Sequence, residues 1–118
     1  MRTKIYNAVS VTGTNTYYSE IFNGLTLGPD LISAQLEGTG TPTGTLTLWA
    51  SNKLDPITSS DADWVDITSL VTVVNPAGSF TKQLVRLSNG GACYYRMKYV
   101  NSSGSGTITG WAYAAAHR

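Results

Sequence analysis

Along most of this chain apolar and polar residues alternate with a period of two, the spacing that sends successive side chains to opposite faces of a β-strand. The alternation is cleanest in three places. In residues 31–37, Ile32, Ala34 and Leu36 share one side and Ser33, Gln35 and Glu37 the other. In residues 45–51, Leu46, Leu48 and Ala50 face one way while Thr45, Thr47 and Trp49 face the other. The third place, residues 92–113, has two such runs around a polar, glycine-bearing insert at 102–106, which predicts a β-hairpin. Its first strand sets Cys93, Tyr95, Met97 and Tyr99 against Tyr94, Arg96 and Lys98. Its second sets Ile108, Gly110 and Ala112 against Thr107, Thr109, Trp111 and Tyr113. One side of the hairpin suits a core, and the other carries large groups to a surface.

Elsewhere the pattern is rougher. Residues 4–11 read as a first strand or, with the rest of 1–16, as an extended N-terminal arm. A second strand spans 17–22, with 25–27 as its continuation, and Gly28-Pro29-Asp30 turns the chain. Residues 38–44 form another turn. The longest irregular stretch, 52–63, carries Pro56 and precedes short strands at 64–68 and 70–74. After a turn at 75–78, residues 80–87 set Lys82, Leu84 and Arg86 against Thr81, Gln83, Val85 and Leu87, the poor alternation of an edge strand. Asn89-Gly90-Gly91 leads into the hairpin, and no segment sustains a helical period. Seven to nine short strands with closely spaced turns predict a single all-β domain over 1–118, an antiparallel β-sandwich of jelly-roll type.

Composition narrows the function classes. Charged residues make up 13% of the 118, against about 25% in ordinary soluble proteins, and small hydroxyl residues abound. That balance suits exposed strand faces and surfaces buried by assembly. The net charge of +1 and the scatter of Arg2, Lys4, Lys53, Lys82, Arg86, Arg96, Lys98 and Arg118 give no field for nucleic acid. One cysteine, Cys93, excludes an intrachain disulfide and a cysteine zinc site, and its place on the inner face reads as a buried apolar group. The N-terminus lacks the apolar core of a signal peptide, and no run is long enough to cross a membrane, so no membrane partner is expected. The lone histidine, His117, stands beside the C-terminus, so neither a catalytic triad nor a metal-ligand pair can be assembled. A protein without enzymatic activity or cofactor is the expectation.

Three groups of residues remain as candidate sites. Trp49, Trp111 and Tyr113, set among Thr45, Thr47, Thr107 and Thr109, would make a flat threonine-rich face if their strands share a sheet. Such rings suit a subunit or partner interface first; the blander reading, in which one tryptophan is part of the core, comes next, and sugar stacking ranks well behind both. Asp55, Asp61, Asp63 and Asp66 crowd one loop. Calcium wants six to eight oxygens, but the spacing fits no EF-hand, and a solvated loop ranks ahead. Arg96 would reach Glu37 or a loop aspartate of a neighbouring subunit, or simply lay its stem on apolar surface with its guanidinium in water.

Residues 37–52 (EGTGTPTGTLTLWASN), Trp64 and residues 94–109 (YYRMKYVNSSGSGTIT) together form a frame of Gly-Thr strand starts, a Ser-Asn exit and a Tyr-Arg-x-x-Tyr strand. Over residues 31–112 this frame resembles small β-sandwich structural proteins of tailed bacteriophages, those that decorate capsids or build virion appendages. The resemblance implies a virion protein, made in the host cytoplasm, that works as a homo-oligomer with a trimer favoured. It further implies a cement-like role on a capsid lattice and transfers no catalytic residue. The runner-up is a carbohydrate-binding module that stacks glycans on Trp49, Trp111 and Tyr113.

Overall fold

The computed structural model describes residues 2–23, 31–71, 82–88 and 92–115. They form nine strands: β1 (Arg2–Val11), β2 (Thr16–Tyr18), β3 (Phe22–Asn23), β4 (Leu31–Gly40), β5 (Thr43–Ser51), β6 (Val65–Asp66), β7 (Lys82–Ser88), β8 (Tyr94–Ser103) and β9 (Gly106–Ala115). A 3₁₀ turn at Thr68–Leu70 follows β6, so Leu70 starts no strand; the rest of the strand expected at 70–74 lies, after Val71, outside the described residues. The turns expected at 28–30, 75–78 and 89–91, and His117, lie outside them too. No helix among the described residues is long and apolar enough to cross a membrane.

All pairings are antiparallel. One sheet has the order β1-β9-β4-β7, and the other β2-β8-β5-β6, with β3 also on β8. Strands β2 and β3 lie end to end along β8, pairing with residues 98–100 and then 94–95, and so act as one broken edge strand. The resulting order is the double Greek key of a jelly roll.

The 92–113 run does not form a hairpin. Strands β8 and β9 lie in different sheets, and so do β4 and β5. The two turns are corners at which a long two-stranded ribbon, β4–β5 against β9–β8, bends from one sheet into the other. Register carries across the bend: Gly40 pairs with Gly106, the Thr41 N–H donates to Ser105 O at 3.0 Å, and Thr43 pairs with Ser103. Buried Asn101 braces the corner, its amide donating to Gly13 O (2.7 Å) and Gly104 O (3.0 Å) and its Oδ1 accepting from the Tyr99 hydroxyl (2.9 Å).

The alternating runs deliver their apolar sides to one core. Ala34, Leu36, Val85, Ile108 and Ala112 come from the first sheet, and Leu46, Leu48, Ala50, Tyr95, Met97 and Tyr99 from the second. Strand β1 is the outer edge of the first sheet, paired along its length with β9 rather than standing off as an arm. Its pattern reads roughly because the register shifts between Lys4 and Tyr6 and again before Val9, with Ala8 at φ 48°. A bulge of this kind turns neighbouring side chains to the same face, and Ile5 and Tyr6 are both buried. The Tyr6 hydroxyl reaches across the sandwich to Tyr17 O at 2.8 Å and Met97 O at 3.2 Å. Burial pushes that phenol well above its usual pKa. Cys93 is half-buried just before β8 rather than buried in the core, and its N–H donates to Asn52 Oδ1 at 2.8 Å.

Candidate functional site

The topology divides the expected aromatic platform. Trp49 and Thr47 stand on β5, in the second sheet, whereas Trp111, Tyr113 and Thr109 stand on β9, in the first. With the core between the sheets, these groups occupy opposite outer faces of the sandwich. A single surface built from all three rings does not exist, and with it goes the three-ring glycan site.

On the second sheet, antiparallel pairing aligns Trp49 with Arg96 and Thr47 with Lys98, which in turn pairs with Tyr18. Arg96 does lie on the outer side of its strand, but it is 0% exposed, not a solvated stem. The irregular 52–64 loop folds back over it. Its guanidinium is held between two rings, 4.1 Å from the centre of Tyr18 and 4.5 Å from that of Trp64, where a desolvated cation–π contact is strongest. Nη1 donates to Thr58 O at 2.7 Å, and Nη2 to Ser60 O at 2.7 Å and to Asp61 Oδ1 at 2.8 Å. Trp64 is itself tied down, its indole N–H donating to Ile57 O at 2.6 Å. The ion pair expected for Arg96 with a loop carboxylate is thus made within one chain. A planar fork with donors in fixed directions suits such a nest of carbonyls.

Lys98 completes the cluster. Its Nζ donates to Asp61 Oδ2 at 2.6 Å and lies 5.1 Å from the Trp49 ring centre, while the Trp49 indole N–H donates to Thr47 Oγ1 at 2.7 Å. The four loop aspartates do not converge. Asp61 serves Arg96 and Lys98; Asp63 accepts from the Ile57 N–H (2.8 Å) and Lys53 (2.9 Å); Asp66 accepts from the Thr68 N–H (2.9 Å) and hydroxyl (2.6 Å). Asp55 is exposed at a positive-φ turn. Among the described residues no three histidine, cysteine or acidic side chains are placed to hold a metal, so the calcium reading finds no site.

The hydrogen bond from Lys98, helped by the charges of Lys98 and Arg96, holds the Asp61 carboxyl below its usual range; partial burial works the other way. A carboxylate with a depressed folded pKa contributes stability that is present above its unfolded value of about 3.9 and is lost as pH falls through the folded one. Asp63 shifts in the same direction, chiefly through the Ile57 N–H and then Lys53. Urea midpoints measured from about pH 5 to about pH 2 should therefore fall on the acid side. Asp61→Asn should flatten that fall, and an unchanged slope would remove Asp61 from the account.

Sequence reasoning missed Tyr18 and Trp64 as partners of Arg96. Positions 18, 64 and 96 follow no local spacing, so only the folded sheet brings them together.

On the first sheet the outer face is partly exposed, with Gln35 and Tyr113 exposed and Ser33 and Thr109 half-buried. Register places Tyr113 between Arg2 and Ser33, Trp111 between Lys4 and Gln35, and Thr109 beside Glu37. Tyr113 is 47% exposed and Trp111 half-buried, with Lys4 Nζ 5.9 Å over the indole ring.

The fold and these two faces define a jelly-roll β-sandwich with a closed arginine latch on one side and a partly exposed aromatic face on the other. No protein-family model matches the chain, and no curated protein matches its sequence. Among solved structures it is similar to the SPBc2 prophage-derived protein YomS, with a TM-score of 0.56 over 98% of this chain and 94% of that one. At 11% identity, what the two share is the fold.

Proposed function

We propose that this chain is a structural protein of a bacteriophage particle, a capsid decoration protein that acts as a homo-oligomer, a trimer, seated on a lattice of other particle proteins. The observation that carries this reading is the near end-to-end likeness to a prophage-derived protein, in which the jelly roll is almost the whole of both chains. Low charge supports it, because few ions need desolvating when such surfaces meet.

The segment between β5 and β7 offers a face for assembly. Leu54, Val65 and Leu70 are 83%, 66% and 66% exposed there. Exposed apolar groups of this size supply area that an assembly contact could bury. No chemical step is involved in this role; apolar area buried at many equivalent contacts stabilises the particle.

Light scattering after size exclusion checks the proposal. The expected result is a mass of three times the 12.6 kDa chain, constant across a concentration series, with co-sedimentation on capsids. Val65→Glu with Leu70→Glu should yield monomers that no longer co-sediment. A wild-type chain that stays monomeric and ignores capsids would end the proposal.

A further inference from the structure

We infer that the outer face of the β1-β9-β4-β7 sheet binds an oligosaccharide chain, laid along β9 over Trp111 and Tyr113. The first ground is how polar groups are used. Elsewhere in the described chain most aromatic polar tips are engaged, the Tyr94 hydroxyl being an exception. Trp49 and Trp64 donate their indole N–H groups to Thr47 and Ile57 O, and the hydroxyls of Tyr6, Tyr17, Tyr95 and Tyr99 are all bonded. The Trp111 indole N–H and the Tyr113 hydroxyl make no hydrogen bond among the described residues, and neither do the side chains of Ser33, Gln35 and Thr109 beside them. Exposed Tyr113 and half-buried Trp111 thus stand among donors and acceptors with no partner among the described residues.

The second ground is the chemistry of what would cover such a face. An apolar protein surface would strip water from those groups without replacing its hydrogen bonds, which costs about 1–3 kcal/mol for each group left unsatisfied. A sugar chain offers both halves of the match, C–H faces to lie on rings and hydroxyls to meet amide, hydroxyl and indole groups. The geometry is also suitable. Trp111 and Tyr113 are two residues apart on one strand, so their rings stand about 7 Å apart along it, a spacing on the scale of sugar units. Strand β9 lies inside the sheet, flanked by β1 and β4, so the platform is flat and braced on both sides. Lys4, exposed on a flexible stem, loosely caps the Trp111 ring; its Nζ donates to Asn7 Oδ1 at 3.4 Å and keeps two further donors to turn toward a ligand.

This inference stands apart from the particle reading, because the assembly face lies on the β5–β7 segment. The test is a glycan array of short linear neutral and acidic oligosaccharides, followed by tryptophan-fluorescence titration with the chain that binds best. Tyr113→Ala, at an exposed position, should weaken binding about tenfold, as expected for the loss of one ring contact. Gln35→Ala should weaken it severalfold. Trp49→Phe, on the opposite face, should leave the affinity unchanged, and so should Val65→Glu with Leu70→Glu. An array without signal, or an affinity that Tyr113→Ala and Trp111→Ala both leave intact, would overturn the inference.

Discussion

Arg96→Ala should lower stability by about 3 kcal/mol, near the bottom of the range for removing one partner of a buried ion pair. The lower end is chosen because Asp61 keeps its bond from Lys98. What is lost is the remainder of the latch. Thr58 O and Ser60 O lose their donor, Asp61 loses one of two, and a void opens between Tyr18 and Trp64. For a domain of this length the change corresponds to a melting point about 12 °C lower. The loop should also become the first site of proteolytic cutting, since its anchor to the sheet is gone. Arg96→Lys should recover little, because a point charge on a flexible stem cannot donate to three acceptors while stacked between two rings. A melting point within about 3 °C of wild type would mean that the loop is held by Trp64 and Asp63 instead.

Gly106→Ala should be at least as damaging, for a reason that lies in backbone rather than side chains. A Cβ at residue 106 would fall on the carbonyl oxygen of Thr39, far inside any allowed approach, with the Thr39 carbonyl carbon and Pro42 close behind. The atoms in the way belong to the facing turn of the ribbon, and they cannot rotate aside as a side chain could. Gly104 is constrained twice over, by φ +78° and by the carbonyl of Thr41. Relief requires pulling the two corners apart, which breaks the Thr41–Ser105 bond and the bracing by Asn101. Overpacking costs about 1–3 kcal/mol and more where the obstacle is backbone that cannot rotate aside, so a loss of at least about 3 kcal/mol is expected. Gly13→Ala is the control. Gly13 also has a positive φ, +59°, but its Cβ would meet only the Asn15 side chain at 3.5 Å. It should lose about 1 kcal/mol, the cost of the left-handed conformation alone. Thermal melts of the three proteins settle the matter, and equal losses at positions 13 and 106 would mean that crowding at the corner is not what matters.

The corner also explains a misreading. Two alternating runs joined by Ser-Ser-Gly-Ser-Gly look like a hairpin, because a tight turn and a sheet-to-sheet bend use the same residues. The difference lies in what the flanking strands pair with. Strand β8 finds β5, and β9 finds β4 and β1, through contacts far apart in the chain. The choice is made collectively by the core, not by the turn.

Arg96 shows the same division on a smaller scale. Alternation placed it correctly on the outer side of β8, opposite Tyr95 and Met97. Nothing in the period, however, says whether an outer position meets water or is roofed by a loop. The loop that covers it has no periodicity to read, and its anchors are carbonyls of Thr58 and Ser60, which any residue type supplies.

The sequence by itself therefore determined that this is an all-β domain, where most strands run, and which face of the cleanly alternating ones turns inward. Those properties are local, set by the two-residue period of an extended backbone and by the apolar groups that must leave water. Only the tertiary structure decided that Trp49 and Trp111 stand on opposite faces, that Arg96 is a latch, and that the polar groups of Trp111 and Tyr113 find no partner among the described residues. Those depend on which distant strands share a sheet, and long-range pairing is chosen by the packing of the whole core.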